Sequence, residues 1–242
     1  MQILGVDIGG SGIKGAIVDV KNGLMLTERH RIETPQPATI EGIAKTLVDL
    51  VNHFNWKGKI GCGFPSVVIN GCVKTAANID KKWINIDAQK VFSEATKCEV
   101  TLVNDADAAG IAEVQFGIGK GMNGVVLLLT FGTGIGSALF TDGKLVPNTE
   151  FGHVLFHGDI AEKYVAASVR KNQELSWGIW GKRLNEYLLH MEKITNPELI
   201  IIGGGISKKF EKYSQFISLK TKVVNATLFN NAGIIGAALS VK

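Results

Sequence analysis

The sequence is poor in cysteine and proline and has no long apolar run. Its three cysteines, Cys62, Cys72 and Cys98, form no CxxC pair and leave one over. Reduced thiols in a cytoplasmic protein are the better reading, ahead of a disulfide framework. No window approaches the roughly 18 uninterrupted apolar residues of a membrane helix. The opening MQILGVDIGG runs straight into a strand pattern without a basic flank or a small-residue cleavage site, so no export signal is expected. Charge of one sign is also scarce. A net +4 suits an anionic ligand but falls short of the dense basic stripe of a nucleic-acid binder. A P-loop, GxxxxGK[ST], is missing, and the glycine turns near Gly10 and Gly132 are each followed by a strand rather than by the helix of a dinucleotide-binding fingerprint.

Glycine is plentiful instead. The 29 glycines sit in short clusters, which marks tight turns that something approaches closely. Strands are expected at 2–8, 13–20 and on to about Ile32, then near 59–64, 67–70 and 99–103. Residues 124–131 and 135–141 read as a hairpin, and 199–202 as a buried strand. Helices are expected at about 40–54, after Asn104, at 160–170 and 177–193, and from Ala232 to the end. This alternation argues an α/β fold. Gly10-Ser11-Gly12-Ile13 is answered by Gly132-Thr133-Gly134-Ile135, each between two strands, and each hairpin runs on to a second turn at Asn22-Gly23 or Asp142-Gly143. The echo suggests two duplicated halves.

Several of these places can carry chemistry. A glycine hairpin exposes amides on one side and can cradle phosphate oxygens. Ser11 adds a hydroxyl and Lys14 a cation, and Asp7 can hold Mg2+ through water beside the phosphates. Plain tight turns with a surface lysine remain the alternative. Asp105 stands where an apolar strand meets a helix, so the helix favours its anionic form. Phosphoryl transfer needs such a carboxylate to take the proton of the attacking hydroxyl. An N-cap role for Asn104 or Asp105 fits the same pattern. Asp107 reads as an ordinary first-turn acid. Glu150 and His153, three apart, can address one polyol. Gly203, Gly204 and Gly205 follow an apolar strand and leave backbone bare for a ring or a phosphate, or for close packing. His30, His53, His157 and His190 show no partner pattern.

Taken in order, DIGGSGIKGAIVD, TAANIDKKW, NDADAAG, LTFGTGIGSA, NTEFGH and IIIGGGIS resemble the ROK family of sugar kinases over essentially the whole chain. TPQPAT, TAANIDKKW and LTFGTGIGSALFTDGKLVPNTEFGH are similar, more narrowly, to its polyphosphate-using glucokinases. The resemblance implies a duplicated actin-like, ribonuclease H-like fold of two domains around a cleft. A smaller domain of 1–108 would be completed by 230–242, with a larger one of 109–229. It implies phosphorylation of glucose at the 6-hydroxyl, with polyphosphate, ATP or both as donor, and with Mg2+. Asp105 would be the general base. Asn78, Asn104, Glu150, His153 and Glu162 would hold sugar hydroxyls. Asp7, Gly9, Gly10, Ser11 and Lys14 would form one phosphate loop, and Gly132, Thr133, Gly134 and Gly136 the other. Gly203 to Gly205 match the loop that carries adenosine in nucleotide-using relatives.

Many ROK proteins carry a CxCGxxGCxE zinc motif after the Gly-His pair. This chain reads GHVLFHGDIAEKY there, so no structural zinc is expected. A strictly ATP-dependent glucokinase, kept open by the GGGIS loop, and a non-catalytic sugar sensor are the alternative readings. A homodimer is expected by analogy with relatives, with no nucleic-acid or membrane partner.

Overall fold

A computed structural model describes residues 1–77 and 79–241. The contacts divide the chain into two compact units, Met1–Ala112 with Asn231–Lys242, and Glu113–Asn230. The two are nearly equal in length.

The first unit is built on a mixed sheet. Strands β1 (Gln2–Gly9), β2 (Gly12–Asp19), β3 (Leu24–Met25) and β4 (His30–Ile32) are followed by helix α1 (Ile40–His53). Then come β5 (Ile60–Phe64), the small hairpin β6 (Val68–Ile69) and β7 (Cys72–Val73), helix α2 (Ala88–Thr96), β8 (Val100–Asn104) and α3 (Asp105–Gln115). The strand order is β3-β2-β1-β5-β8, with β4 also on β2. β1 pairs antiparallel with β2 and parallel with β5. The expected third strand is thus two short pieces.

Alternation along β1 decides which face does what. Leu4, Val6 and Ile8 enter the hydrophobic core with Ile43, Leu47 and Leu50 of α1. Gly5 and Asp7 point to the other face. There the closing helix, Ala232–Leu239, lies so near the sheet that a side chain on Gly5 or Gly61 would strike the carbonyls of Ile234 or Ala237. Thr39 caps α1 by accepting from Gly42 N–H at 3.1 Å.

The second unit repeats the plan. Strands β9 (Val125–Phe131), β10 (Ile135–Thr141) and β11 (Lys144–Val146) precede the small hairpin β12 (Leu155–Phe156) and β13 (Asp159–Ile160). Helices α4 (Glu162–Val165), α5 (Ala167–Asn172) and α6 (Trp177–Thr195) follow, then β14 (Leu199–Gly203) and β15 (Lys222–Asn225). The order β11-β10-β9-β14-β15 matches β3-β2-β1-β5-β8 strand for strand, including which pairs are antiparallel. The core of this unit gathers Phe131, Trp180 and Tyr187. The helix expected at 160–170 breaks at Ala166, whose ψ of 156° is extended. The turns after Gly204 are 3-10, kinked at Lys209, where a regular helix is expected.

Candidate active site

In the first unit the chemistry-bearing residues share one sheet face. Asp7 on β1 stands directly opposite Lys14 on β2, and Lys14 opposite Arg31 on β4. Lys14 Nζ lies 3.0 Å from Asp7 Oδ2. On the other side Asp7 neighbours Gly63 of β5. A Cβ on Gly63 would rest 3.6 Å from the Cα of Asp105 and 3.5 Å from Ala108 Cβ, so the first turn of α3 covers this same face. The first turn of the closing helix reaches the row as well, since a Cβ on Gly233 would sit 3.1 Å from Asp7 Cγ.

The turn from β1 to β2 has three of its carbonyls held by side chains. Thr34 Oγ1 donates to Gly9 O at 2.5 Å, Gln36 Nε2 to Gly10 O at 3.2 Å, and Arg31 Nη2 to Ser11 O at 2.5 Å. All three donors come from β4 and the connector to α1, the segment holding TPQPAT. With its carbonyl oxygens occupied, the turn is left to meet a ligand with amide donors and the Ser11 hydroxyl, a set suited to phosphate oxygens.

Asn104 ends β8 and caps α3. Its Oδ1 accepts from Ala106 N–H at 2.9 Å and Asp107 N–H at 3.0 Å, and its Nδ2 donates to Ser66 O at 3.0 Å. Most of its hydrogen-bonding capacity is therefore structural, with one amide N–H left for a ligand. Asp105 is half-buried, and its Oδ1 accepts from Ala106 N–H at 2.8 Å. Asp107, by contrast, is buried in the unit. Asn78 lies outside the described residues.

In the second unit the turn from β9 to β10 is tied down similarly. Ser168 donates from its backbone N–H to Gly132 O at 3.0 Å and from its hydroxyl to Thr133 O at 2.6 Å. Here a carboxylate sits on the turn. Glu162 Oε2 fills the space that a side chain on Gly134 would need, and accepts from Ile135 N–H at 3.3 Å. The 3-10 turn Phe151–His153 packs on the start of β10, anchored by Phe151 N–H to Ser137 Oγ at 3.0 Å. That anchoring brings three polar groups together. His153 Nδ1 lies 3.3 Å from Glu150 Oε2, and His153 Nε2 lies 3.7 Å from Glu162 Oε1. Burial pushes the Glu150 carboxyl above its ordinary value, Glu162 adds to that, and His153 opposes it. Two acids and an imidazole in one half-exposed patch can bind adjacent hydroxyls of a polyol. Farther along, Gly204 takes φ +78° where a Cβ would meet Phe131 backbone, and its carbonyl accepts from Ser207 Oγ at 2.7 Å. Gly204 thus does packing work, whatever the loop binds, while a Cβ on Gly205 would meet open space. Among the described residues no group of three His, Cys, Asp or Glu side chains is arranged to hold a metal ion.

Residues 3–164 match the family described as ROK. The chain belongs to the ROK family. This ROK chain is 47% identical over 237 residues to the polyphosphate glucokinase of Mycobacterium tuberculosis, covering 98% of itself and 89% of that protein. It is 44% identical to the inorganic polyphosphate/ATP-glucomannokinase of Arthrobacter sp. strain KM, with a TM-score of 0.95 over 98% of this chain and 97% of that one. A ROK family glucokinase from Streptomyces griseus, solved with glucose and AMPPNP, superimposes with a TM-score of 0.84 over 98% of each chain at 23% identity, a likeness of fold. The duplicated actin-like fold is thereby established for this ROK chain.

Some residues of the site were not legible beforehand. Arg31 carries no motif of its own, and Thr34 and Gln36 were legible only as part of TPQPAT; only the hydrogen bonds of the folded chain show what the three grip. His30 and His53, which show no partner pattern in the sequence, stack with ring centroids 3.6 Å apart, and His157 Nε2 lies 3.3 Å from Glu186 Oε2.

Proposed function

We propose that this protein phosphorylates glucose at the 6-hydroxyl with inorganic polyphosphate as donor, and that ATP serves as a second donor. The similarity to polyphosphate glucokinases over nearly the whole chain supports the reaction, and the name of the Arthrobacter relative joins both donors in one enzyme. The geometric observation that carries the reading lies in the first unit. Asp105, at the mouth of α3, covers the same sheet face as Asp7 and Lys14, beside a turn that presents amides.

Asp105 acts as general base, taking the proton of the 6-hydroxyl as that oxygen attacks phosphorus. The bond to the rest of the donor breaks and the shortened polyphosphate, or ADP, departs with the electron pair. Lys14 and the Gly9, Gly10 and Ser11 turn hold the donor's oxygens, and Gly132, Thr133, Gly134 and Gly136 form the second cradle. Glu150, His153 and Glu162 fix sugar hydroxyls, with Asn104 and Asn78 supporting. Gly203 to Gly205 carry the adenosine when ATP is the donor. Asp7 is a lone carboxylate already paired with Lys14, which fits a hydrated Mg2+ held mainly by the donor itself. When bound, Mg2+ neutralises donor charge. The setting is cytoplasmic, consistent with three free cysteines and no helix long and apolar enough to cross a membrane among the described residues.

Asp105→Asn and Asp105→Ala test the base. Turnover should fall by about 10^2–10^4-fold, while calorimetric glucose binding persists. Turnover within a few-fold of wild type in either variant would reject the role.

A further inference from the structure

We infer that Arg31 is a second cation of the phosphoryl-donor site, binding the anionic phosphate chain together with Lys14. The inference rests on the first glycine turn being the donor site. Register places Arg31 and Lys14 directly opposite on paired strands, so their side chains share a face. Like charges so placed repel, and the arrangement is unfavourable unless an anion joins them. Lys14 is partly answered by Asp7 at 3.0 Å, whereas Arg31 forms no ion pair among the described residues. The row of Asp7, Lys14 and Arg31 therefore keeps one unmatched positive charge beside the turn.

The guanidinium is also held in place. It lies flat over Gly12, with Nε 2.5 Å and Cζ 2.8 Å from where a Cβ would be, and Nη2 donates to Ser11 O at 2.5 Å. One donor is spent on the turn, and the others of the planar fork remain for phosphate oxygens. Arg31 is exposed, so a long polyanion can reach it.

The second hairpin supplies the contrast. Gly134 is the repeat counterpart of Gly12, and the space over it holds the carboxylate of Glu162, which takes the Ile135 amide. The same backbone design thus carries a cation on one turn and an anion on the other. A generic need to brace a glycine turn explains a hydrogen-bonding side chain at each, but not the opposite charges. An anionic donor meets its side-chain cation at the turn with Arg31, whereas the Glu162 carboxylate at the second turn lies beside His153, with the groups assigned to the sugar.

Calorimetry with inorganic tripolyphosphate, at low and high salt, tests the inference in the full chain. Arg31→Gln keeps a donor for Ser11 O but not the charge, and Arg31→Lys keeps the charge. Arg31→Gln should bind tripolyphosphate about tenfold more weakly, as the loss of one charge-assisted contact predicts, and its binding should depend less on salt. Arg31→Lys should retain the wild-type salt dependence, and glucose binding should be unchanged in both. Gly12→Ala, whose methyl displaces the guanidinium without altering charge, should weaken tripolyphosphate binding as well and stands in if Arg31→Gln does not fold. Wild-type affinity in Arg31→Gln would overturn the inference. So would weakened binding with an undiminished salt dependence, which would leave Arg31 a mere brace. A wild-type protein that binds tripolyphosphate through Arg31 yet turns over only with ATP would uphold the inference and sink the polyphosphate reading. Failure of the wild type to bind tripolyphosphate at all would sink the donor-site assignment and the inference with it.

Discussion

Glu150 sits in an environment that works against its own charge. Burial and the nearby Glu162 raise its carboxyl above the ordinary range, and His153 restores only part of the balance. A raised acid protonates earlier as pH falls. The glucose KM of the wild type should therefore climb while pH is still somewhat above the usual carboxylate range, and Glu150→Gln should have a high KM that no longer changes there. A wild-type KM flat across this window would contradict the assignment. The linkage sign follows. Because folding raises this pKa, ionised Glu150 costs stability at neutral pH; the cost declines as pH falls from the folded value and is gone below the unfolded one. Glu150→Gln should thus be slightly more stable than wild type near neutrality, measured as Tm. At this scale the sequence exposes Asp7, Lys14 and Asp105, since each flanks a recognisable turn or helix start. It does not expose Arg31, because a glycine says only that something comes close, and the group over Gly12 arrives from a later strand.

Among the elements, the closing helix shows most plainly how the fold positions chemistry. It packs against β1 and β5 through Gly5 and Gly61, and its own Gly236 meets the Ala108 carbonyl of α3. Close packing brings its first turn against Asp7 and holds α3, hence Asp105, over the same face. A methyl on Gly61 would meet the Ala237 carbonyl and the Ala238 Cα, which are backbone atoms with no flexible end to yield. Gly61→Ala should destabilise the protein by about 1–3 kcal/mol, read from the denaturant midpoint, and an unchanged midpoint would refute the packing account. Strongly periodic elements such as α1 and the β9–β10 hairpin were legible because burial follows the period. α2 was not, as only Ala88 and Phe92 of it are buried. β15 was missed because a short edge strand with no fully buried residue has little pattern to read. The break at Ala166 has no proline or glycine to announce it.

Across the whole molecule, one strand plan is used twice and decorated differently. The repeat was visible as four residues in each half, and the matching strand orders show how far it extends. Sequence periodicity cannot reveal this, since order in a sheet is set by which edges meet in space. The proposed function divides along the same lines. The first unit carries the cations, the amide-presenting turn and Asp105, and the second carries the acids and imidazole suited to a sugar. Modest net charge is enough for a polyanionic donor, because the cations that count are local. The most direct test of this account is to supply purified protein with glucose and Mg2+, and with polyphosphate freed of ATP or ATP freed of polyphosphate. Formation of glucose 6-phosphate from polyphosphate alone is the predicted result, and transfer from ATP only, or from neither donor, would contradict it.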